Sequence, residues 1–364
     1  MNIKEVTDFL DQWANPSLAE DYDNVGLLVG RNEKNLSKVL VSLDTTEGVV
    51  EEAKALGCEL IISHHPILFK GLKRLNGQNY VARTIEKAIQ NGIGIFAIHT
   101  NLDAVISGVN FKMAEKLGLK DLVPLRPLTG KLLHLSFFVP LENRDEVLNA
   151  IHLAGAGQIG NYSNCSFSGQ GLGRFTPGHN TNPTIGIQNQ SEEVNEFKIE
   201  VVLPKHQRKK VMKALFESHP YEEVAYFLTE VENLWQDAGS GMLGFLPKPV
   251  SKEELIEKIK KQFGLEMLRH TDSNKKEFQK IAICGGSGHF LLGDAIAAGA
   301  DAYITSDIKY HEFFDAEGRL MLMDIGHYES EQFTSELIME KLSNEFPNIA
   351  VLLSKTKTNP VFYA

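Results

Sequence analysis

Lys38-Val39-Leu40-Val41-Ser42-Leu43-Asp44, leading to Leu56-Gly57-Cys58-Glu59-Leu60-Ile61-Ile62-Ser63, reads as a strand, a polar turn, an amphipathic helix, a glycine break and a second strand. Two strands joined through a helical crossover pair in parallel, so this stretch is a βαβ unit. The pattern recurs without a gap at an offset of 242 residues, as Lys280-Ile281-Ala282-Ile283-Cys284-Gly285-Gly286 leading to Ala298-Gly299-Ala300-Asp301-Ala302-Tyr303-Ile304-Thr305. Any two βαβ units share a rhythm. The match of Gly57 with Gly299 and of Glu59 with Asp301 goes further and favours a true duplication. The expected fold class is therefore α/β, with two duplicated α/β halves forming one core. Ligands of such sheets collect beyond the carboxyl ends of parallel strands. Asp44, His64-His65, Asp103, the Gly285-Gly286-Ser287-Gly288 loop and Ser306-Asp307 all follow apolar runs, and they converge on one rim if the halves share a sheet or face each other.

Between the halves the chain changes rhythm. Residues 132–139 read as a strand and 144–154 as a helix; short strands follow around 165–169 and 184–188 in a Gly-, Asn- and Ser-rich stretch. Then come a strand at 197–203, a helix at 207–218 and a strand at 223–232. The order β-α-β-β-α-β is that of a ferredoxin-like α+β domain. This segment also echoes itself: Phe138-Val139-Pro140 leading to Arg144-Asp145-Glu146 resembles Val202-Leu203-Pro204 leading to Arg208-Lys209-Lys210. The expected organisation is a first α/β half over 1–127, an inserted ferredoxin-like domain over 128–235 and a second α/β half over 236–364.

The 364 residues suffice for two or three domains with real cores. A formal net charge of −10 with no compensating basic block argues against nucleic acid as the main partner, although a nucleotide needs only a local pocket. Cys58, Cys165 and Cys284 are odd in number and far apart, with no Cys-x-x-Cys, so they read as reduced thiols of a cytosolic protein. The N-terminal stretch is amphipathic and carries acidic residues, unlike a signal peptide, and no apolar run is long enough to span a membrane. A cytoplasmic protein is expected.

Side chains suited to metal stand at three distant places: His64-His65, Asp103, and the pair His327 and Glu331. A mixed imidazole and carboxylate set fits Zn, Mn, Fe or Co better than Ca, which takes oxygen ligands. Neighbouring strand residues point to opposite faces, so His64 and His65 can serve one cluster only where the strand is ending; Pro66 marks such an end. Taken alone, the pair is as well explained by one buried and one exposed histidine. His327 and Glu331, at i and i+4, share a face at the start of a helix expected over 329–342, although a surface ion pair has the same spacing. Asp103 could equally be a turn aspartate. The Gly285 to Gly288 loop, ahead of a helix expected over 290–298, could cradle a phosphate or simply make a tight turn with positive φ. Lys309 and His311, after the second rim, and Lys70 and Lys73, after the first, could hold an anionic substrate; His311 could also move a proton. No Gly-x-Ser-x-Gly elbow or Cys–His pattern is present, which leaves metal-activated water as the better candidate nucleophile.

The stretches Asp23-Asn24-Val25-Gly26-Leu27-Leu28-Val29-Gly30, Ile62-Ser63-His64-His65-Pro66, His99-Thr100-Asn101-Leu102-Asp103, Gly285 to Gly288, Ser306-Asp307-Ile308-Lys309-Tyr310-His311 and Gly326-His327-Tyr328-Glu329-Ser330-Glu331 run in order through both halves. In them the chain resembles the GTP cyclohydrolase 1 type 2-like proteins, also called the NGG-interacting-factor-like family. The resemblance implies a dinuclear centre of two divalent metal ions, with ligands at positions matching His64, His65, Asp103, His327 and Glu331. It also implies a ring-shaped homohexamer. The insert, with His219-Pro220-Tyr221-Glu222, looks like the PII-signal-like or copper-tolerance-like domain of some members, which suggests trimer contacts or regulation. The function expected on this basis is metal-dependent hydrolysis of a nucleotide or related anionic substrate, with Lys309 and His311 orienting it. The alternative is a metal-binding or regulatory assembly protein without turnover.

Overall fold

The structure, a computed structural model, describes residues 1–363. The chain divides into two compact units, one of Met1–Arg126 with Ala238–Ala364 and one of Pro127–Asp237. The larger unit begins with α1 (Ile3–Trp13), β1 (Gly26–Val29), β2 (Lys38–Ser42), α2 (Glu47–Leu56), β3 (Leu60–Ser63), α3 (Tyr80–Gln90), β4 (Gly94–Ala97), α4 (Thr100–Ala104), α5 (Val109–Leu117) and β5 (Lys120–Leu128). The smaller unit holds β6 (Leu132–Pro140), α6 (Arg144–Leu153), β7 (Phe167–Phe175), β8 (Glu192–Pro204), α7 (Arg208–Ser218) and β9 (Tyr226–Val231). The chain then supplies β10 (Trp235–Val250), α8 (Lys252–Phe263), β11 (Arg269–His270), β12 (Phe278–Ser287), α9 (Leu292–Ala297), β13 (Ala302–Ser306), β14 (Met321–Asp324), α10 (His327–Glu331), α11 (Thr334–Glu345) and β15 (Ala350–Leu353).

The larger unit has two sheets. One runs β1-β4-β3-β2-β15, parallel except for β1; the other runs β11-β14-β13-β12-β10-β5, with β12, β13 and β14 parallel. Helices cover both faces of the parallel strands, which is why those strands are continuous apolar runs rather than alternating ones. Val39, Val41, Leu60 and Ile62 pack into one core with α1 and α11, while Leu40 and Ile61 face a second core with α2 and α3. Ile281, Ile283, Ala302 and Ile304 divide from Ala282 and Tyr303 in the same way in the other sheet.

The two βαβ turns agree residue by residue. Val39, Leu40 and Val41 pair with Leu60, Ile61 and Ile62, and Ile281, Ala282 and Ile283 pair with Ala302, Tyr303 and Ile304. Gly57 and Gly299, both at φ +70°, follow the helix in each unit, in a left-handed conformation that glycine adopts without steric cost. Glu59 accepts the backbone N–H groups of Ser37 and Lys38, and Asp301 accepts those of Gln279 and Lys280. The acid at this position thus satisfies donors where the first strand begins.

The smaller unit has one antiparallel sheet ordered β7-β8-β6-β9, backed by α6 and α7 around a core of Leu135, Phe137, Val139, Ile199, Val201 and Leu215. No strand forms at 184–188. The place beside β8 is filled by β7, longer than expected, and Gly186 and Asn189 at positive φ break the extended chain. The helix expected over 329–342 is broken into α10 and α11. The Gln332 side-chain amide donates to the Glu329 carbonyl, the group that would accept the next amide of a continuous helix. The helix expected over 290–298 opens as a 3₁₀ turn, and α9 starts at Leu292. Among the described residues no helix is long and apolar enough to cross a membrane.

Candidate metal centre

Each cluster residue is carried to its place by the end of a parallel strand. The His64 and His65 amides still donate to the Ser42 and Leu43 carbonyls, so the ladder continues just past β3 before Pro66 ends it. His99 follows β4 and caps α4, whose first turn holds Asp103. Asp307 follows β13. His327 and Glu331 are the first and last residues of α10, which starts three residues after β14.

Three of the four imidazoles are oriented by a carboxylate. His65 Nδ1 lies 2.8 Å from Asp44, His327 Nδ1 lies 2.6 Å from Asp307 and His99 Nδ1 lies 2.9 Å from Asp23; His64 Nδ1 lies 2.8 Å from the Ile98 carbonyl. An acceptor at Nδ1 fixes the proton there in the neutral ring and leaves Nε2 as a lone pair. His65 and His327 turn these Nε2 atoms toward each other at 3.3 Å, and toward Glu331 Oε2 at 2.9 and 3.1 Å. His64 Nε2 lies 3.6 Å from Asp103 and 3.9 Å from Glu331. His64 is fully buried and Glu331 is 3% exposed, yet His64 Nε2, Asp103 Oδ1 and Glu331 Oε2 make no hydrogen bond. Although Glu331 Oε2 is at ion-pair distance from two imidazoles, its orientation forms no hydrogen bond with either. Acceptors so close call for positive charge among them, from protons or from a metal ion.

The electrostatics agree. Burial lowers the His64 pKa to about 4, outweighing Glu331, so this ring stays neutral. Burial also opposes charge on His65 and His327, but the Asp44 hydrogen bond with the charges of Glu331 and Asp44 raises His65 to about 9, and the Asp307 hydrogen bond with the charges of Glu331 and Asp307 raises His327 to about 11. Burial, then the Glu331 charge, holds Asp103 well above the usual carboxylate range; Glu331 is held well below it, against its own burial, by its histidines. Without an ion, protons gather where the site wants positive charge.

Gly286 makes room for Glu331, and Gly285 for Val109. Gly286 has φ +63°, and a Cβ there would run into Glu331 Oε1. At Gly285 a Cβ would come within 2.9 Å of Val109 Cγ1. This turn is not a phosphate cradle. The Gly285 amide donates to Asn110 and the Gly286 amide to the Ser330 hydroxyl, and α9 behind it is only six residues long.

Among the described residues, three groups could hold a metal ion: His65, His327 and Glu331; His64, Asp103 and Glu331; and His64, His65 and His99. All five residues that the sequence singles out as ligands are thus brought together. Lys309 and His311 are not among them. Both are exposed; Lys309 pairs with Glu312 at 3.3 Å and His311 stacks on Phe314. On that rim Asp307 touches the cluster instead, at the position the internal repeat aligns with His65. His99, which the sequence reading does not single out as a ligand, joins His64 and His65 from the same motif as Asp103.

Fold and site together define an α/β protein with a histidine–carboxylate cluster able to hold a metal ion. The chain belongs to the Duf34/NIF3 (NGG1p interacting factor 3) family, whose model matches residues 1–360. It is 40% identical over 365 residues, 99% of this chain and 98% of the relative, to a GTP cyclohydrolase 1 type 2 homolog of Halalkalibacterium halodurans. A Bacillus subtilis protein of the same name is 35% identical over 366 residues, 99% of this chain and 98% of its own. Among solved structures, a Bacillus cereus protein related to NIF3 matches with a TM-score of 0.87 at 34% identity, covering 100% of this chain and 99% of that one. A Staphylococcus aureus protein matches at 0.79 and 30% identity, with coverage of 100% and 99%.

Proposed function

We propose that the cluster binds two divalent metal ions, Zn, Fe, Mn or Co, and that the protein is a metal-dependent hydrolase of a nucleotide or related anionic substrate. The observation that carries this reading is the convergence of unbonded His64 Nε2, Asp103 Oδ1 and Glu331 Oε2 in a buried pocket of carboxylate-oriented imidazoles. His65 and His327 would hold one ion and His64 and Asp103 the other, with Glu331 shared between them. Ions bound there would supply Lewis acidity toward an anionic oxygen and lower the pKa of water. The chain's own part is to keep His64 neutral by burial and to fix the ring planes of His65 and His327 through Asp44 and Asp307. Lys309 and His311 are the side chains we assign to the substrate; to reach it, Lys309 must exchange Glu312 for the substrate's charge. The names of the relatives support a nucleotide such as GTP.

Within the same reading the larger unit consists of two duplicated α/β halves, the smaller unit is a ferredoxin-like insert of PII-like kind, and the assembly is a homohexamer with trimer contacts from the insert. A solution mass near six times 40.5 kDa tests the last point; a monomer mass would overturn it.

The function is tested by metal analysis of wild type beside Glu331→Gln, and by assay with GTP and a panel of phosphoesters before and after chelation. The reading expects bound metal in wild type, its loss in the variant, and turnover abolished by chelation and by His64→Ala. Wild type free of metal after mild purification would defeat the site. Full metal loading without turnover would instead favour a non-enzymatic metal-binding or regulatory protein, a reading supported by the lack of contact between the cluster and either Lys309 or His311.

A further inference from the structure

The smaller unit carries a cavity of its own. On β7, Gly169, Gly171 and Gly173 occupy alternate positions and so share one face of the sheet. The register sets Gly171 opposite Glu196 of β8, and Glu196 opposite Pro140 of β6. Phe137, Val139, Ile199 and Val201 fill the core on the helix-covered face, so Phe138, Glu196 and the glycines belong to the other face. A cavity of about 560 Å³ opens there, floored by Phe138, Gly173 and Glu196 and walled by the chain around Phe175, Thr181 and Tyr221. That volume is in the range of small-molecule sites. The wall is fastened at two points: the Asn182 amide donates to the Glu222 carboxylate at 2.9 and 3.1 Å, and the Thr184 hydroxyl donates to the Pro220 carbonyl at 2.6 Å.

Glu196 is a buried carboxylate on the cavity floor. It is 7% exposed, and its hydrogen bond comes from the Tyr221 hydroxyl at 2.9 Å. Burial and then Glu196 itself hold the Tyr221 phenol above its usual range, so it stays a neutral donor and brings no positive charge. Of the nearby cations, Lys198 pairs with Glu200 at 2.8 Å, and Arg174, which itself lines the cavity, pairs with Glu193 at 2.7 Å. A carboxylate offers about four acceptor positions, and a buried one with no counter-charge is costly. Gly173 leaves the space this carboxylate occupies, since a Cβ there would run into it. The floor and walls add aromatic rings, with Phe175 and Tyr221 centroids 6.0 Å apart.

We infer that this cavity binds a small organic cation, a primary ammonium compound with an aromatic or aliphatic body, its ammonium group against Glu196 and its body on Phe138, Phe175 and Tyr221. The ammonium supplies the missing counter-charge, and the ring faces favour a cation beside them. The site lies wholly within the smaller unit and does not depend on the metal cluster.

The test is titration calorimetry of the full-length protein, after chelation, with 2-phenylethylamine, the neutral 2-phenylethanol and the anionic 3-phenylpropionate. The amine is expected to bind at least tenfold more tightly than the alcohol, and the acid not at all. Glu196→Gln keeps the side-chain shape and an acceptor for Tyr221, and is expected to weaken the amine at least tenfold while leaving the alcohol unchanged. Thr181→Trp, which puts an indole into the cavity from its loop wall, is expected to abolish binding of both at an unchanged melting temperature. The inference is overturned by an amine no tighter than the alcohol, by no amine binding, or by amine affinity that survives both variants.

Discussion

Gly286→Ala and Gly299→Ala form a matched pair that isolates the metal cluster from backbone strain. The two glycines have φ of +63° and +70°, so each alanine carries a left-handed penalty of about 1–2 kcal/mol. A Cβ at Gly299 meets open space; at Gly286 it runs into Glu331 Oε1 and comes within 3.4 Å of His327 Cε1. Clearing the methyl group must disturb the approaches of Glu331 Oε2 to His65 at 2.9 Å and to His327 at 3.1 Å. Perturbing the support of a metal ligand costs about 10–100-fold in affinity. Tenfold is about 1.4 kcal/mol of metal-linked stability at saturating ion, or about 3–6 °C in melting temperature for a unit of this size. The assay is thermal unfolding of chelated protein with and without added Zn or Mn. Wild type and Gly299→Ala should rise equally on adding metal, and Gly286→Ala should rise by about 3–6 °C less. An equal rise in all three proteins refutes the idea that Glu331, placed by Gly286, holds the ion.

Asp307→Asn keeps an acceptor for His327 and a residue type that tolerates the φ of 59° at this position, but it removes the charge that helps keep His327 protonated, so chelated protein should melt lower near pH 7 and metal affinity should fall by about tenfold; wild-type affinity would remove Asp307 from the site. Asp301 is partly buried, which opposes its charge, but the Gln279 and Lys280 amides and Lys275 hold its pKa below 3.8. Its contribution is therefore present above that value and lost as pH falls through the lower folded one, so Asp301→Asn should cost about 1 kcal/mol at pH 7 and progressively less as pH falls below 3.8, read from denaturant melts. Asp11 runs the other way: burial and the charge of Asp8, against Lys4, raise it to about 6. Its folded pKa lies above the unfolded one, so stability is lost as pH rises through 6, and Asp11→Asn should stabilise by about 1 kcal/mol above pH 6 and not at pH 4 once screening is allowed for. A pH-independent effect would refute the Asp11 assignment.

The β-α-β runs were readable because they rest on short-range rules, whereas it was the family resemblance that joined the five residues into one centre. A parallel strand buried on both faces must be continuously apolar, and Ile61-Ile62 or Ile281-Ala282-Ile283 can hardly be anything else. His64-His65 before Pro66 and His327 with Glu331 at i+4 carry their geometry in their spacing. Long-range contacts set the rest. Nothing local announces that Gln332 would take the Glu329 carbonyl and split a helix, or that Gly285 and Gly286 would spend their amides on Asn110 and Ser330 rather than on a phosphate. His99 was within reach of the sequence, since it follows an apolar run as His64 does. Its partner Asp23 is 76 residues away, in a stretch that carries the family resemblance without a role being assigned to it.

Under the duplication proposed above, the site shows how two copies of one unit came to do different work. The repeat aligns Asp44 with Gly286, His64 with Ser306 and His65 with Asp307. In the first half the end of β2 supplies a carboxylate, Asp44, and the end of β3 supplies the imidazole it orients, His65. In the second half the first position is a glycine and the second is the orienting carboxylate, Asp307, whose imidazole comes from α10, after a third strand. A carboxylate at 286 would put a further negative charge where a single Cβ already collides with Glu331, so the glycine is required by what α10 brings. Each half thus presents a carboxylate-oriented imidazole to Glu331 by a different route, His65 from the first and His327 from the second, and Glu331 stands within 3.1 Å of both. A separate half would hold at most part of the ligand set. The cluster therefore depends on the two halves being held together as a unit, which the shared core of α11 with β2 and β15 accomplishes.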